Sequence, residues 1–240
     1  MTKENDLFTS APDQVSEEEQ WISLSDLMAS LMMIFMLLAI AYMVKQEAQS
    51  FKVKQVSAVY EEIRTELYEE LTREFSSDLP VWDAEITPDL AFRFRNPDIL
   101  FDTGKDVLKP KFQAILDDFF PRYVRIITNP KYEGTISEIR IEGHTSSKWL
   151  TSASVEEAYF LNMELSQSRT RSTLRYVMGL PQVSAKLGWL KQYVTANGLS
   201  SSRLILNNDG SEDIGRSQRV EFHIRTDAEA WLANIRDAVQ

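Results

Sequence analysis

Cysteine is absent from the 240 residues, which excludes disulfides and any thiolate zinc site. Histidine is nearly absent, and two residues, His144 and His223, are too few for a His-rich metal site. Basic charge is outweighed: 26 Lys and Arg stand against 36 Asp and Glu, a formal net charge of −10. That balance argues against nucleic acid as a direct partner, because its binders carry basic surfaces. There is no Gly-x-Ser-x-Gly elbow to supply a nucleophile. Gly104-Lys105 lacks the upstream Gly and downstream Ser or Thr of a phosphate loop. Nor does an acid pair or metal set suggest hydrolysis. The expectation is a protein that is not an enzyme and needs no cofactor.

Charge is also scarce in one long run, Ile22 to Val44, which lacks Lys, Arg, Glu, Pro and Gly. As a helix its 23 residues span roughly 34 Å, enough for a hydrocarbon core of about 30 Å. Trp21 and Tyr42 bracket it as aromatic belts bracket membrane spans. The run is read as a transmembrane helix over 21–44, an uncleaved signal-anchor, after a polar tail over 1–20. Asp26 is the acid inside it. A carboxylate near the bilayer centre costs about 2.5–3.5 kcal/mol on insertion scales, so such acids are functional candidates. Ser23 at i−3, Ser30 at i+4 and Ala29 give Asp26 a small, weakly polar stripe where another helix can approach. The expected role is to bind and release an ion among partner helices. The plainer alternative is an N-cap for a helix beginning at Leu27.

Lys45 to Ser77 lacks Pro and Gly, and Val56, Tyr60, Ile63, Leu67, Leu71 and Phe75 recur at helical spacing. This predicts a helical stalk over 45–80, of a kind that could pair with a second copy. A domain over 81–240 follows. Strands are expected at Leu90–Arg95, Ile99–Phe101, Ile136–Ile141, Arg203–Leu206 and Arg219–Arg225. Helices are expected from Pro110 with a break or kink at Pro121, at Val155–Met178, at about Ala185–Ala196 and at Ala228–Val239. The order implies an α/β (α+β) fold with a mixed sheet and helices packed on one face. His144 is read as structural or ligand-lining rather than a catalytic base, and His223 as a solvated strand position.

Two stretches carry resemblances. Trp21-x4-Asp26-x-Met28-x3-Met32-x2-Phe35 resembles the single span of MotB-type stator subunits, which implies that Asp26 carries the ion, taken to be a proton. Ile99–Asp102, Ile141-Glu-Gly-His-Thr145, Asn162-x2-Leu165-Ser166-x2-Arg169 and Arg219-Val-Glu221 resemble the OmpA-like peptidoglycan-binding fold. That likeness implies a wall-peptide site at His144, Thr145, Ser146, Asn162, Leu165 and Arg169, with Arg169 pairing with a carboxylate. The family's usual Gly-His-Thr-Asp motif ends here in Ser146. Either Ser146, Ser147, Glu156 or Glu157 takes over from the acid, or binding is weaker. An acidic lead-in departs from flagellar subunits, and the whole is similar to the MotB-like subunit of Zorya anti-phage motors. The resemblance implies a dimer of this chain within five MotA-like multispan subunits, with cytosolic helicase or nuclease effectors. It also implies a bacterial inner-membrane location, with the N-terminus cytoplasmic and the domain periplasmic. Lysines near the span favour the opposite orientation, since Lys45, Lys52 and Lys54 follow it and Lys3 alone precedes it. The domain decides the reading. The alternatives are a flagellar-type stator subunit and a passive membrane-tethered wall anchor.

Overall fold

The computed structural model describes residues 17–132, 134–149 and 153–226. The final helix expected at Ala228–Val239 and most of the N-terminal tail lie outside them. The chain divides into two units, Met1–Val56 and Ser57–Gln240.

Helix α1, Glu17–Phe75, contributes to both units. With no Pro or Gly in its 59 residues, nothing in the sequence interrupts the i to i−4 ladder. In the first unit, Leu24–Phe51 is long and apolar enough to cross a membrane, with a mean hydropathy of 2.4 and none of it buried. Asp26 lies well inside α1, nine residues after its start, so the N-cap alternative does not hold.

In the second unit the end of α1 is core rather than a free stalk. Leu67, Leu71 and Phe75 are fully buried, and the Phe75 ring packs edge-on to Phe92 at 5.3 Å. Polar ties reinforce this: Arg122 donates to the Glu74 carboxylate at 2.8 Å and to Asp78 at 2.9 Å, and its guanidinium lies 4.6 Å from the Phe75 ring. The Tyr132 hydroxyl donates to Glu70 at 2.6 Å.

A short helix α2, Leu79–Trp82, leads to β1, Ala84–Ile86, and β2, Ala91–Phe94. The strand expected at Ile99–Phe101 is instead a helical turn, α3, Pro97–Leu100. Asn96 caps it by accepting from the Asp98 N–H, and Pro97 suits the first helical position. Helix α4, Pro110–Ile127, runs through Pro121 without ending there. Its Phe112, Leu116, Phe119 and Phe120 face are all in the core, and that packing outweighs the lost backbone bond. Strand β3, Ile136–His144, helix α5, Val155–Met178, helix α6, Leu187–Tyr193, strand β4, Val194–Gly198, helical turn α7, Ile214–Ser217, and strand β5, Arg219–Thr226, complete the unit. The helix expected over Ala185–Ala196 is thus a 3-10 turn, a short helix and a strand, because Val194 and Thr195 pair with β3. Arg203–Leu206 forms only an isolated bridge, Leu206 to Glu212.

The sheet order is β1-β2-β5-β3-β4, with β3 and β4 parallel and the other pairs antiparallel. Period-2 alternation sorts its residues. Phe92, Phe94, Ile139, Ile141, Val220, Phe222 and Ile224 enter the core on the helix side. Arg93, Arg140, Glu142, Glu221 and His223 occupy the other face. Helix α5 lies close over β3 and β4 because both strands carry glycine there. A Cβ on Gly143 would come within 2.9 Å of the Ser166 carbonyl oxygen, and one on Gly198 within 2.3 Å of the Gln167 nitrogen. This close seating brings one face of α5 to the C-terminal end of β3.

Candidate functional site: a guanidinium-centred cleft and a lone carboxylate

Helix α5 starts with a capping box, in which Ser154 accepts from the Glu157 N–H and Glu157 accepts from the Ser154 N–H. That bond commits Glu157 to the helix end and holds its carboxyl below the usual range. Two turns on, Asn162 is buried and donates from Nδ2 to the Ser146 and Lys148 carbonyls at 3.2 Å each. It therefore pins the segment leaving β3. Arg169, two turns further, donates from Nε to the Lys105 carbonyl at 2.9 Å and from Nη2 to the Asp102 carbonyl at 3.1 Å. Its guanidinium sits 4.9 Å from the Phe101 ring. Burial pulls the Arg169 pKa down to about 10 against the pull of Asp106. Among the described residues it has no carboxylate within 4 Å. Backbone carbonyls orient the fork and leave its charge uncancelled.

Two cavities meet at Arg169. One, of about 240 Å³, is also lined by His144, Ser166 and Arg219, and the other, of about 200 Å³, by Thr145, Ser146, Asn162 and Leu165. All six residues expected at a wall-peptide site thus lie around one cleft. Both ring nitrogens of His144 and the Thr145 hydroxyl are buried and have no hydrogen-bond partner among the described residues. Unsatisfied buried groups are uncommon in folded proteins, and three in consecutive residues beside a cleft suit a ligand or ordered water.

The sequence reading missed the charge beneath His144. Glu142 and Glu221 face each other across β3 and β5 and are 2% and 3% exposed. His144 Nε2 lies 3.7 Å from Glu142 and 3.8 Å from Glu221, electrostatic contacts too long for hydrogen bonds. These three ligating groups lie close enough together to suggest a metal site. Arg93 and Arg219 both bond Glu221, however, and Arg203 bonds Glu142 at 3.3 Å, so the carboxylates already have cations. Burial opposes ionisation of Glu142, yet His144, His223 and Arg203 together hold its carboxyl well below the usual range. Burial lowers the His144 pKa, and Arg219 adds to that effect against the pull of Glu142 and Glu221. His223 is half-buried rather than fully solvated, and Glu142 raises its pKa. The alternation in Ile139–His144 and Arg219–Ile224 was the signal that could have found this cluster.

Glu212 was also missed. Its carboxylate accepts from both the Ser147 N–H, at 3.0 Å, and the Ser147 hydroxyl. An acid from the β4–β5 connection therefore stands beside the position where the sequence has no Asp. Glu156 is exposed on the first turn of α5.

In the other unit Asp26 is flanked by Ser25, whose hydroxyl donates to the Trp21 carbonyl at 2.8 Å. Ala29 and Ser30 share its side of the helix, and the Ser23 side chain lies outside those described. No cationic group lies within 4 Å of Asp26 among the described residues.

No family model matches the sequence. Solved structures with a similar fold include a MotB-like protein from Desulfovibrio vulgaris (24% identity, 71% of this chain and 95% of that chain, TM-score 0.49). The periplasmic domain of Helicobacter pylori MotB is 18% identical over 65% of this chain and 88% of its own, with a TM-score of 0.43. The cell wall anchor of the type VI secretion system from Pseudomonas aeruginosa is 19% identical over 65% of this chain and 96% of its own, with a TM-score of 0.45. The Zorya protein ZorB of Escherichia coli is 45% identical over 225 residues, covering 93% of this chain and 95% of that protein. At that identity and coverage, the chain belongs to the ZorB family.

Proposed function

We propose that this chain is the ion-carrying, wall-anchored subunit of a membrane motor that serves in anti-phage defence. Asp26 takes up and releases the ion, a proton, as helices of a MotA-like partner pass it. Two copies of this chain stand among five such partners. The N-terminus is cytoplasmic and the domain periplasmic. The observation that carries the reading is Asp26 itself, a lone carboxylate within an otherwise uncharged run of a ZorB-family chain. An acid there without its own counter-ion calls for partner helices and suits reversible protonation. One elementary charge crossing 100 mV releases about 2.3 kcal/mol, the energy available per ion.

The domain holds the subunit still by gripping a wall peptide. Arg169, pre-set by the Asp102 and Lys105 carbonyls, offers its fork to a peptide carboxylate, and His144, Thr145, Ser146, Asn162 and Leu165 shape the cleft. The test is Asp26→Asn in the complex with its partner. Assembly should persist, while proton flux into vesicles and protection of cells from phage should both disappear. Retained flux would sink the ion-carrying role and leave a passive wall anchor.

A further inference from the structure

The opposite end of β3 holds a second cleft that the motor reading does not use. In α6, Leu190 turns into the core, while Trp189 and Tyr193, one turn apart, stack at 4.8 Å with 28° between their planes. Lys186 precedes them on the same side of the chain, and Gln192 lies beside them. Across from this pair, the connection between α4 and β3 supplies Thr128, Asn129 and Tyr132. Together they enclose about 310 Å³. Asn129 Oδ1 accepts from the Lys131 N–H at 3.1 Å, which fixes the amide and leaves its NH2 group free to donate. The side chains of Lys186 and Gln192 are exposed and make no hydrogen bond or ion pair among the described residues.

We propose that this cleft binds a saccharide, the glycan strand of the cell wall, at a site separate from the peptide cleft. The inference rests on the wall-anchoring reading above. A sugar ring offers a C–H face to an aromatic platform and a rim of hydroxyl and acetamido groups to amides. Two stacked rings bordered by Asn129, Gln192 and one ammonium match that pattern. A strongly anionic ligand would instead suit a guanidinium fork, as at Arg169. Ile136 lines this cleft and His144 the other, eight strand steps apart, so roughly 26 Å separates them. Peptide held at one end and glycan at the other would make attachment two-point, and the second contact would form at high effective concentration.

The experiment uses the full-length chain in detergent and two probes, N-acetylglucosamine tetramer and a wall stem peptide freed of glycan, titrated by calorimetry. The tetramer should bind. Trp189→Ala should weaken it roughly tenfold, Gln192→Ala should weaken it less, and Arg169→Ala should leave it unchanged. The stem peptide should show the reverse dependence. Because Trp189 packs partly on the core, Trp189→Phe serves as the fold-preserving variant and should retain most tetramer binding, while Gln192 is exposed and safe to truncate. Absence of tetramer binding to the wild-type chain overturns the proposal, as does tetramer binding indifferent to both Trp189→Ala and Gln192→Ala. Failure of the stem peptide to bind would instead remove the wall-peptide reading, and the tetramer titration would still be readable.

Discussion

Glu142 and Asp26 are both carboxylates in places where a charge is costly, one buried and one within an apolar run, and they differ in what stands beside them. Glu142, in the sheet, has Arg203 within hydrogen-bonding distance and His144 and His223 within 4 Å, while its cross-strand neighbour Glu221 holds Arg93 and Arg219. Asp26, in the apolar helix, has no cation within 4 Å among the described residues. Charges balanced inside the fold serve the fold. A charge left unbalanced points to something that arrives from elsewhere. Arg169 belongs with Asp26 in this respect, being held by carbonyls rather than by a carboxylate.

The sharpest way to break the contrast is Asp26→Asn. It should abolish flux and protection altogether while leaving the domain's unfolding midpoint unchanged, and a shifted midpoint would count against the division. Next is the buried end of α1. Phe75→Ala should lower stability by about 3–5 kcal/mol in chemical denaturation, whereas the exposed Met36→Ala should leave the domain untouched. Glu221→Ala strips the counter-ion from buried Arg219 and should cost about 3–5 kcal/mol by the same measurement. A neutral result there would show that the cluster is not internally balanced. Arg169→Ala should reduce affinity for wall peptide by about 10- to 150-fold, the worth of a charged hydrogen-bonded contact. Arg169→Lys should not restore it, since a point charge cannot replace the fork.

The smallest effect is a pH dependence. Glu142 raises the pKa of His223, so the stability from that pair is fully present below the unfolded value of about 6.5. It is lost as pH rises through the raised folded value. His144 has the opposite sign: burial lowers its pKa, so its contribution stands above about 6.5 and fades as pH falls through the lowered value. Urea midpoints from pH 5 to 8 should therefore show the gap between wild type and His223→Gln narrowing as pH rises. A gap that stays flat would remove His223 from the balance.

Legibility in the sequence followed the range of the interactions. Helix α5 was read at its observed bounds, because a long helix is a local pattern; the capping box of Ser154 and Glu157 that fixes its start is equally local, though the sequence reading did not use it. Asp26 stood out because the absence of any other charge over 22–44 needs no tertiary knowledge. The cleft residues came from family likeness, and the structure gathers them without showing what they bind. What failed was non-local. Ile99–Phe101 looks like a strand by composition, yet Asn96 and Pro97 turn it into a helix. Strand β4 is short and half polar, and it exists because β3 lies alongside. The Glu212–Ser147 contact joins residues 65 apart, and no local pattern encodes it.

Gly143 and Gly198 have a consequence for how this cleft can change over generations. Neither lines up a ligand group of its own, but each sets how near α5 rides to the sheet. A methyl at either position would collide with the backbone of α5, so strand and helix would have to move apart and carry Asn162 and Arg169 with them. Selection on the grip of the cleft therefore acts on the spacing between helix and sheet as well as on the contacts within the site, and these two positions leave it no room for a side chain.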